Sequence, residues 1–399
     1  MSLDVVFLGL SITSSWGNGH ATTYRGLARE LARRGHRVLF LERDVPWYRD
    51  NRDLPAPPYC TTELYGSLEE LFDRFVGVVR QADLTIVGSY VPEGCEVGNW
   101  ALRMARGLVA FYDIDTPVTL RSLEAGTCAY LSASLLKRYD LYLSFTGGPL
   151  LHHIEQQYGV PRARPLYCSA DPSLYYPEGP DTPPAPSAPS AARGGDTASA
   201  TPQPEAAAAW TMGYLGTYSD DRQPVLDRLL LTPARRRPEQ RFMVAGPQYP
   251  AHIAWPPNVS RVEHVPPSEH RGIYCSQRFA LNVTRSDMVA AGFSPSVRLF
   301  EAAACGTPII SDPWVGLDTF FEPDTEILVA RTSEDVLRIL DGMPEEQRRE
   351  IGARARVRVL EEHTAAHRAA TLEGYARELT GSRVLSNTDA RDQRWLGGE

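Results

Sequence analysis

The chain has 399 residues, a formal net charge of −8, 43% hydrophobic and 23% charged residues. This is enough apolar material for two cores, and the acidic balance excludes bulk attraction to nucleic acid. No stretch reaches the ~18 apolar residues that span a bilayer, and MSLDVVFLGL lacks a basic lead segment, so neither a membrane span nor a signal peptide is expected.

The six cysteines, Cys60, Cys95, Cys128, Cys168, Cys275 and Cys305, contain no CxxC pair. They read as reduced thiols of a cytoplasmic protein, with peripheral membrane contact left open. In chain order, apolar runs predict strands over Asp4–Leu10, His36–Leu41, Leu84–Gly88, Gly107–Tyr112 and Leu141–Phe145. Helical patterns intervene at Tyr24–Arg34, which stops at Gly35, and at Leu68–Arg80. Strands alternating with helices predict a parallel sheet covered on both faces.

Pro177–Ala209 is dense in Pro, Ala, Ser and Gly and poor in large apolar residues, and reads as a disordered insertion. The alternation then resumes, with strands over Met212–Leu215, Arg241–Ala245, Phe279–Val283 and Pro308–Ile310. Helices are expected over Arg298–Cys305 and Ser333–Leu340, then a long run from Glu345 to about Leu379, broken near Thr364. The predicted organisation is an N-terminal Rossmann-like domain (1–176), the insertion (177–209) and a C-terminal Rossmann-like domain (210–350). A helix packing back on the first domain (351–380) and a loose tail (381–399) follow. Ligands of such sheets sit at the carboxyl ends of the strands.

SSWGNGHATTYRGLARELARRGHRV opens at the end of the first strand. Gly17 and Gly19 permit close backbone approach to a ligand, the helix start offers free N–H groups, and His20 has a side chain suited to proton transfer near neutrality. A phosphate cradle, a catalytic base and a plain capping turn are the three readings of GNGH. The spacing is not GxGxxG, which weakens a dinucleotide-binding reading.

SPSVRLFEAAACGTPIISD places Ser294 and Ser296 at a second helix start, with Arg298 and Glu301 inside the helix. Free N–H groups suit an anion, and a carboxylate there can accept from ribose hydroxyls; a surface Glu301–Arg298 pair is the alternative. In FYDIDTP, Asp113 and Asp115 alternate and would share a strand face. Acceptor-side or base carboxylates, turn caps and a DxD metal site are the readings. Thr284 and Arg285 follow the strand Phe279–Val283, where Arg285 suits phosphate oxygens or a structural salt bridge. His152–His153, the i, i+4 pair His363/His367 and Arg235–Arg237 read as solvated features.

EAAACGTP (Glu301–Pro308) resembles the sugar-nucleotide signature of GT-B glycosyltransferases, and GNGH…LARELARRGHRV resembles the N-terminal motif of that superfamily. The chain is most similar to the CgeB-like branch, through FYDIDTPVTL, DLYLSFTGG, RPLYCSADPSLYYP, GYLGTYSDDRQP, VAGPQYP, LNVTRSDMVAAGFSPSVRLFEAAACGTPIISD and GLDTFF. The resemblance implies an α/β GT-B architecture, two Rossmann-like domains facing across a cleft with C-terminal helices crossing back. It implies transfer of a sugar from a nucleotide-diphosphate sugar, UDP-sugar favoured, to a hydroxyl acceptor in polysaccharide, surface-glycan or natural-product glycosylation. No cofactor or divalent metal is expected. Glu301 would hold ribose; Ser294, Ser296, Arg298, Arg285, Thr284, Gly216, Thr217 and Tyr218 would face the diphosphate, and His264 the nucleobase. His20 would be the base, with Asp113 or Asp115 second. Many retaining relatives carry another Glu where this chain has Phe293, which puts a retaining mechanism in doubt without establishing inversion; His20, which resembles the base of some inverting members, favours inversion. A nucleotide-sugar epimerase and a non-catalytic spore-coat or glycan-binding protein are the alternatives.

Overall fold

A computed structural model describes residues 2–17, 19–178 and 209–395, with side chains described up to residue 381. The insertion read over 177–209 therefore lies, from 179 to 208, outside the described residues.

The first half forms a parallel sheet of β1 (Asp4–Gly9), β2 (Arg37–Arg43), β3 (Thr61–Tyr65), β4 (Leu84–Gly88), β5 (Leu108–Asp113), β6 (Leu141–Ser144) and β7 (Ala163–Pro165). Their order is β3-β2-β1-β4-β5-β6-β7. The second half forms β8 (Trp210–Leu215), β9 (Phe242–Ala245), β10 (Val259–Val262), β11 (Gln277–Asn282), β12 (Ile309–Ser311) and β13 (Leu328–Val329), ordered β10-β9-β8-β11-β12-β13. In each half the chain reverses direction beside its first strand, which opens a crevice at the strands' carboxyl ends.

Burial explains the strand sequences. Val5, Val6, Phe7 and Leu8 are all buried, because helices cover both faces of the central strand. Val6 pairs in register with Leu39 on one side and Thr85 on the other. The strands not anticipated above are β3, β7, β10 and β13, the four sheet edges. Each is short or partly exposed and lacks the continuous apolar run of an inner strand.

The C-terminal helices correct two boundaries. Glu345–Glu362 belongs wholly to the second half: Ala355 and Val359 join its core, and Arg356 Nε donates to the Ala304 carbonyl at 3.2 Å. The crossing back therefore begins near 363, not at 351. Ala170 and Thr364 pair where the two crossing segments meet, and buried Arg368 donates to the carbonyls of Tyr167 (3.1 Å), Cys168 (3.2 Å) and Glu362 (3.1 Å). The last helix, Ala365–Trp395, lies on the helix His20–Arg33, where Gly26 and Ala365 pack closely. It continues through 381–395, read above as a loose tail. That segment is polar but contains no proline, and polarity alone does not stop a helix.

Candidate active site

The loops after β1, β8 and β9 and the helices Pro267–Cys275 and Val297–Ala304 enclose a cavity of about 240 Å³ between the halves. Gly17, Gly19 and Thr22 line it from one side; Gly216, Thr217, Arg222, His264, His270, Tyr274, Arg298 and Glu301 line it from the other. The halves touch at both flanks. Trp16 packs on His264 with ring centroids 4.2 Å apart. On the other flank, Thr146 Oγ1 and Ser294 Oγ are 2.8 Å apart, and Gly147 N–H donates to the Phe293 carbonyl at 2.9 Å.

Glu301 is 3% exposed, yet its carboxylate lines this cavity. Tyr274 donates its hydroxyl to Oε2 at 3.1 Å, and His270 Nδ1 stands 3.8 Å from the same oxygen. Burial and that carboxylate drive the Tyr274 hydroxyl pKa well up, so it stays a donor. A carboxylate removed from water this far needs hydrogen-bond donors, and a ligand hydroxyl supplies one. Sequence reading missed His270 and Tyr274, although they are i, i+4 neighbours that share a helix face.

The floor of the cavity is backbone. A Cβ on Gly246 would meet the Gly216 carbonyl oxygen at 2.0 Å, and its φ of +146° suits only glycine, so the loops after β8 and β9 meet at bare main chain. Arg222, also missed, donates through Nη2 to the Thr217 carbonyl at 2.8 Å and adds positive charge to the cavity wall. Val297, first in its helix, lines the cavity too, leaving its helix start directed there.

Several expected donor-side groups serve the protein instead. Ser296 donates to Asn282 Oδ1 at 2.8 Å. Arg298 donates to Asn282 (2.8 Å) and to the Leu215 carbonyl (2.5 Å), and is not paired with Glu301. Thr284 is buried and donates to Asp312 at 2.9 Å. Ser294 ties the halves together, Arg285 lies 3.9 Å from Asp221, and Tyr218 donates to Asp220 at 2.5 Å. Ser294, Thr284 and Arg298 are buried among these partners, while Arg285 and Tyr218 are partly exposed. Gly216, Thr217 and His264 do line the cavity; burial depresses the His264 pKa.

On the side of Gly17, Gly19 and Thr22, His20 begins its helix next to the lining residue Gly19 but does not itself line the cavity. Its Nε2 is 4.0 Å from Asp115 Oδ2, to which Tyr90 donates at 3.1 Å. Burial lowers the His20 pKa against the opposing pull of Asp115, which favours the neutral, proton-accepting imidazole. The two aspartates do not share a strand face, as FYDIDTP was read. β5 ends at Asp113, and Asp115 sits at the start of the helix Thr116–Glu124. Asp113 is fully buried beneath it, accepting from Tyr142, from Thr119 (2.8 Å) and from the Asp115 N–H (3.1 Å). Burial raises its pKa to about 6, and it meets no acceptor.

This is the GT-B fold. Residues 222–374 match the family described as glycosyl transferase-like. Sucrose-phosphate synthase from Thermosynechococcus elongatus superposes with a TM-score of 0.65 at 16% identity, covering 95% of this chain and 100% of that one. Anabaena Alr3699/HepE, solved with UDP and glucose, gives 0.66 at 14% identity over 94% and 100%. An α-glucosyltransferase solved with UDP gives 0.64 at 12% identity over 94% and 100%. No curated protein matches the sequence significantly. Among the described residues, no helix is long and apolar enough to cross a membrane.

Proposed function

We propose that this protein is a glycosyltransferase of the CgeB-like branch that moves a sugar from a nucleoside-diphosphate sugar, UDP favoured, to a hydroxyl acceptor. One observation carries the reading: the buried Glu301 carboxylate, held by Tyr274, opens into a cavity that bare backbone, a helix start and Arg222 also line. Glu301 accepts from ribose hydroxyls. Arg222, the Gly216–Thr217 backbone and the helix start at Val297 hold the diphosphate and meet the charge it gains on leaving, without a divalent metal. His264, Val265 and Pro267 border the nucleobase. The UDP in the solved relatives supports that choice of base.

His20 takes the proton of the acceptor hydroxyl. The acceptor oxygen attacks the anomeric carbon while the bond from that carbon to the diphosphate breaks. Attack from the His20 wall, opposite the diphosphate, inverts the anomeric centre. Asp115 stabilises the imidazolium that forms.

A thermal-shift screen against UDP, GDP, TDP and CMP, with their sugar conjugates, tests the reading. One nucleoside diphosphate raises Tm, and Glu301→Ala abolishes the shift. No shift with any nucleotide overturns it.

A further inference from the structure

Tyr90 lies just beyond the carboxyl end of β4, the strand between β1 and β5, and takes no part in the chemistry above. Its φ of +63° is a left-handed backbone that costs a bulky residue energy and persists only where the surroundings fix it. Those surroundings brace the ring. Its centroid lies 4.7 Å from that of Tyr130, whose hydroxyl is 2.8 Å from Thr119 Oγ1, and Thr119 in turn donates to Asp113 at 2.8 Å. The His20 ring centroid is 5.7 Å away on the other side. The braced hydroxyl donates to Asp115 Oδ2 at 3.1 Å, and that same oxygen is the one His20 Nε2 faces at 4.0 Å.

We propose that Tyr90 is a positioning residue for the base: its hydroxyl engages the carboxylate oxygen that faces His20 and keeps Asp115 from clamping the imidazole as a tight ion pair. This role rests on the reading of His20 as the base. A carboxylate in full hydrogen-bonded contact with an imidazolium lies at about 2.7–2.9 Å and holds the proton on the ring. A ring held that way cannot take a proton from an acceptor hydroxyl. At 4.0 Å, with a donor already on Oδ2, Asp115 is near enough to meet an imidazolium once it forms and too far to hold one beforehand.

The Tyr90 hydroxyl acts only as a donor here. Burial, with Asp115 beside it, drives its pKa up, so the proton stays on the phenol. Its O–H dipole offsets part of the Asp115 charge that reaches His20. Burial lowers the His20 pKa and Asp115 pulls it back up, so removing that dipole strengthens the pull of Asp115. The charges that reach Tyr90 itself are those of Asp115, Tyr130 and Asp113. Asp113, raised by burial to about 6, titrates in the same window as His20. It makes no hydrogen bond to Tyr90, so it contributes alike to proteins that differ only in the Tyr90 hydroxyl.

The test titrates the His20 Cε1–H resonance by NMR in the full chain, with His20→Gln identifying the peak, and repeats the titration in Tyr90→Phe, Asp115→Asn and the double variant. Tyr90→Phe keeps the ring on Tyr130 and removes one oxygen. The His20 midpoint should rise by at least about 0.5 pH unit in Tyr90→Phe, fall in Asp115→Asn, and stay where Asp115→Asn put it in the double variant. No rise in Tyr90→Phe overturns the proposal. So does an equal rise in the Asp115→Asn background, which would make Tyr90 a packing residue. The ring ¹⁵N shifts of the wild type give an arm that needs no variant to fold: a neutral imidazole is expected at pH 7.5, and an imidazolium there shows a tight pair already formed and overturns the proposal. A kcat unchanged by His20→Ala overturns the base reading and, with it, the role of Tyr90 in transfer, while the titrations still decide whether its hydroxyl holds Asp115 off the imidazole.

Discussion

On the proposed donor wall, Glu301, Tyr274 and His270 come from two packed helices, Pro267–Cys275 and Val297–Ala304, and the carboxylate already holds a hydrogen bond at 3.1 Å. On the proposed acceptor wall, His20, Tyr90 and Asp115 come from three separate loop ends of the other sheet, and His20 Nε2 stands 4.0 Å from Asp115. Tyr90 also has φ of +63°, an uncommon backbone region for a bulky residue. The first wall is formed before its ligand arrives. The second holds a histidine and a carboxylate 4.0 Å apart. Binding and proton transfer should therefore separate under mutation.

The largest effect is expected at His20. His20→Ala lowers kcat by about 10²–10⁴-fold, the range of a lost general base, with UDP affinity unchanged by calorimetry. An equal loss of UDP affinity would erase the distinction between the walls.

Asp113 lies under the acceptor wall and tests what holds that wall up. Its folded-state pKa of about 6 exceeds the ordinary carboxylate value because of burial. The folded state thus binds the proton more tightly than the unfolded chain. That stabilisation is full below about pH 4 and is lost as pH rises through about 6, a change of up to about 3 kcal/mol. Asp113→Asn removes the buried charge and keeps an oxygen for Thr119 and the Asp115 N–H. Its Tm at pH 7.5 should exceed that of the wild type, with a flatter pH dependence between about 4 and 6. A variant less stable at every pH would show that Asp113 is held as an anion for structural reasons.

Glu301→Gln examines the donor wall alone. The amide keeps the volume but loses the charged acceptor, so UDP affinity should fall by about 1.5–3 kcal/mol. The variant should also lose the preference for UDP over a dideoxy analogue that lacks the ribose hydroxyls. A retained preference would move the ribose away from Glu301. Folding should survive the change, since removing a buried charge also removes its desolvation cost.

The same contrast governs what the sequence made legible. The nine inner strands announced themselves, because a parallel strand buried on both faces is a continuous apolar run. The four edges did not. Glu301 was readable because its helix carries a dense local pattern, EAAACGTP. Its partners were not, because His270 and Tyr274 lie on a helix that touches Glu301 only after folding. FYDIDTP misled because the strand stops at Asp113, and the two carboxylates that share a sequence pattern end in different surroundings, one buried and one beside His20 and Tyr90. Serine and threonine side chains near the second helix start were read as ligand donors. Burial gave them protein partners, which residue type alone does not reveal.

The smallest effect is expected where the walls meet. Trp16 from one half packs on His264 of the other, rings tilted by 44° at 4.2 Å, and Trp16 is 37% exposed. A half-exposed ring pair contributes about 0.5–1 kcal/mol, so Trp16→Ala should weaken UDP-sugar binding less than about fivefold at pH 7.5. Burial, His270 and their surroundings lower the His264 pKa, so the imidazole is neutral there and the contact is ring on ring. Acidification protonates His264 and places a cation against the indole, which strengthens the pair. The cost of Trp16→Ala should therefore grow as pH falls below the ordinary imidazole range, read as the ratio of wild-type to variant affinity across the titration. A ratio that stays flat would mean that the two rings do not close on each other when donor is bound, and that the donor wall works without help from the acceptor side.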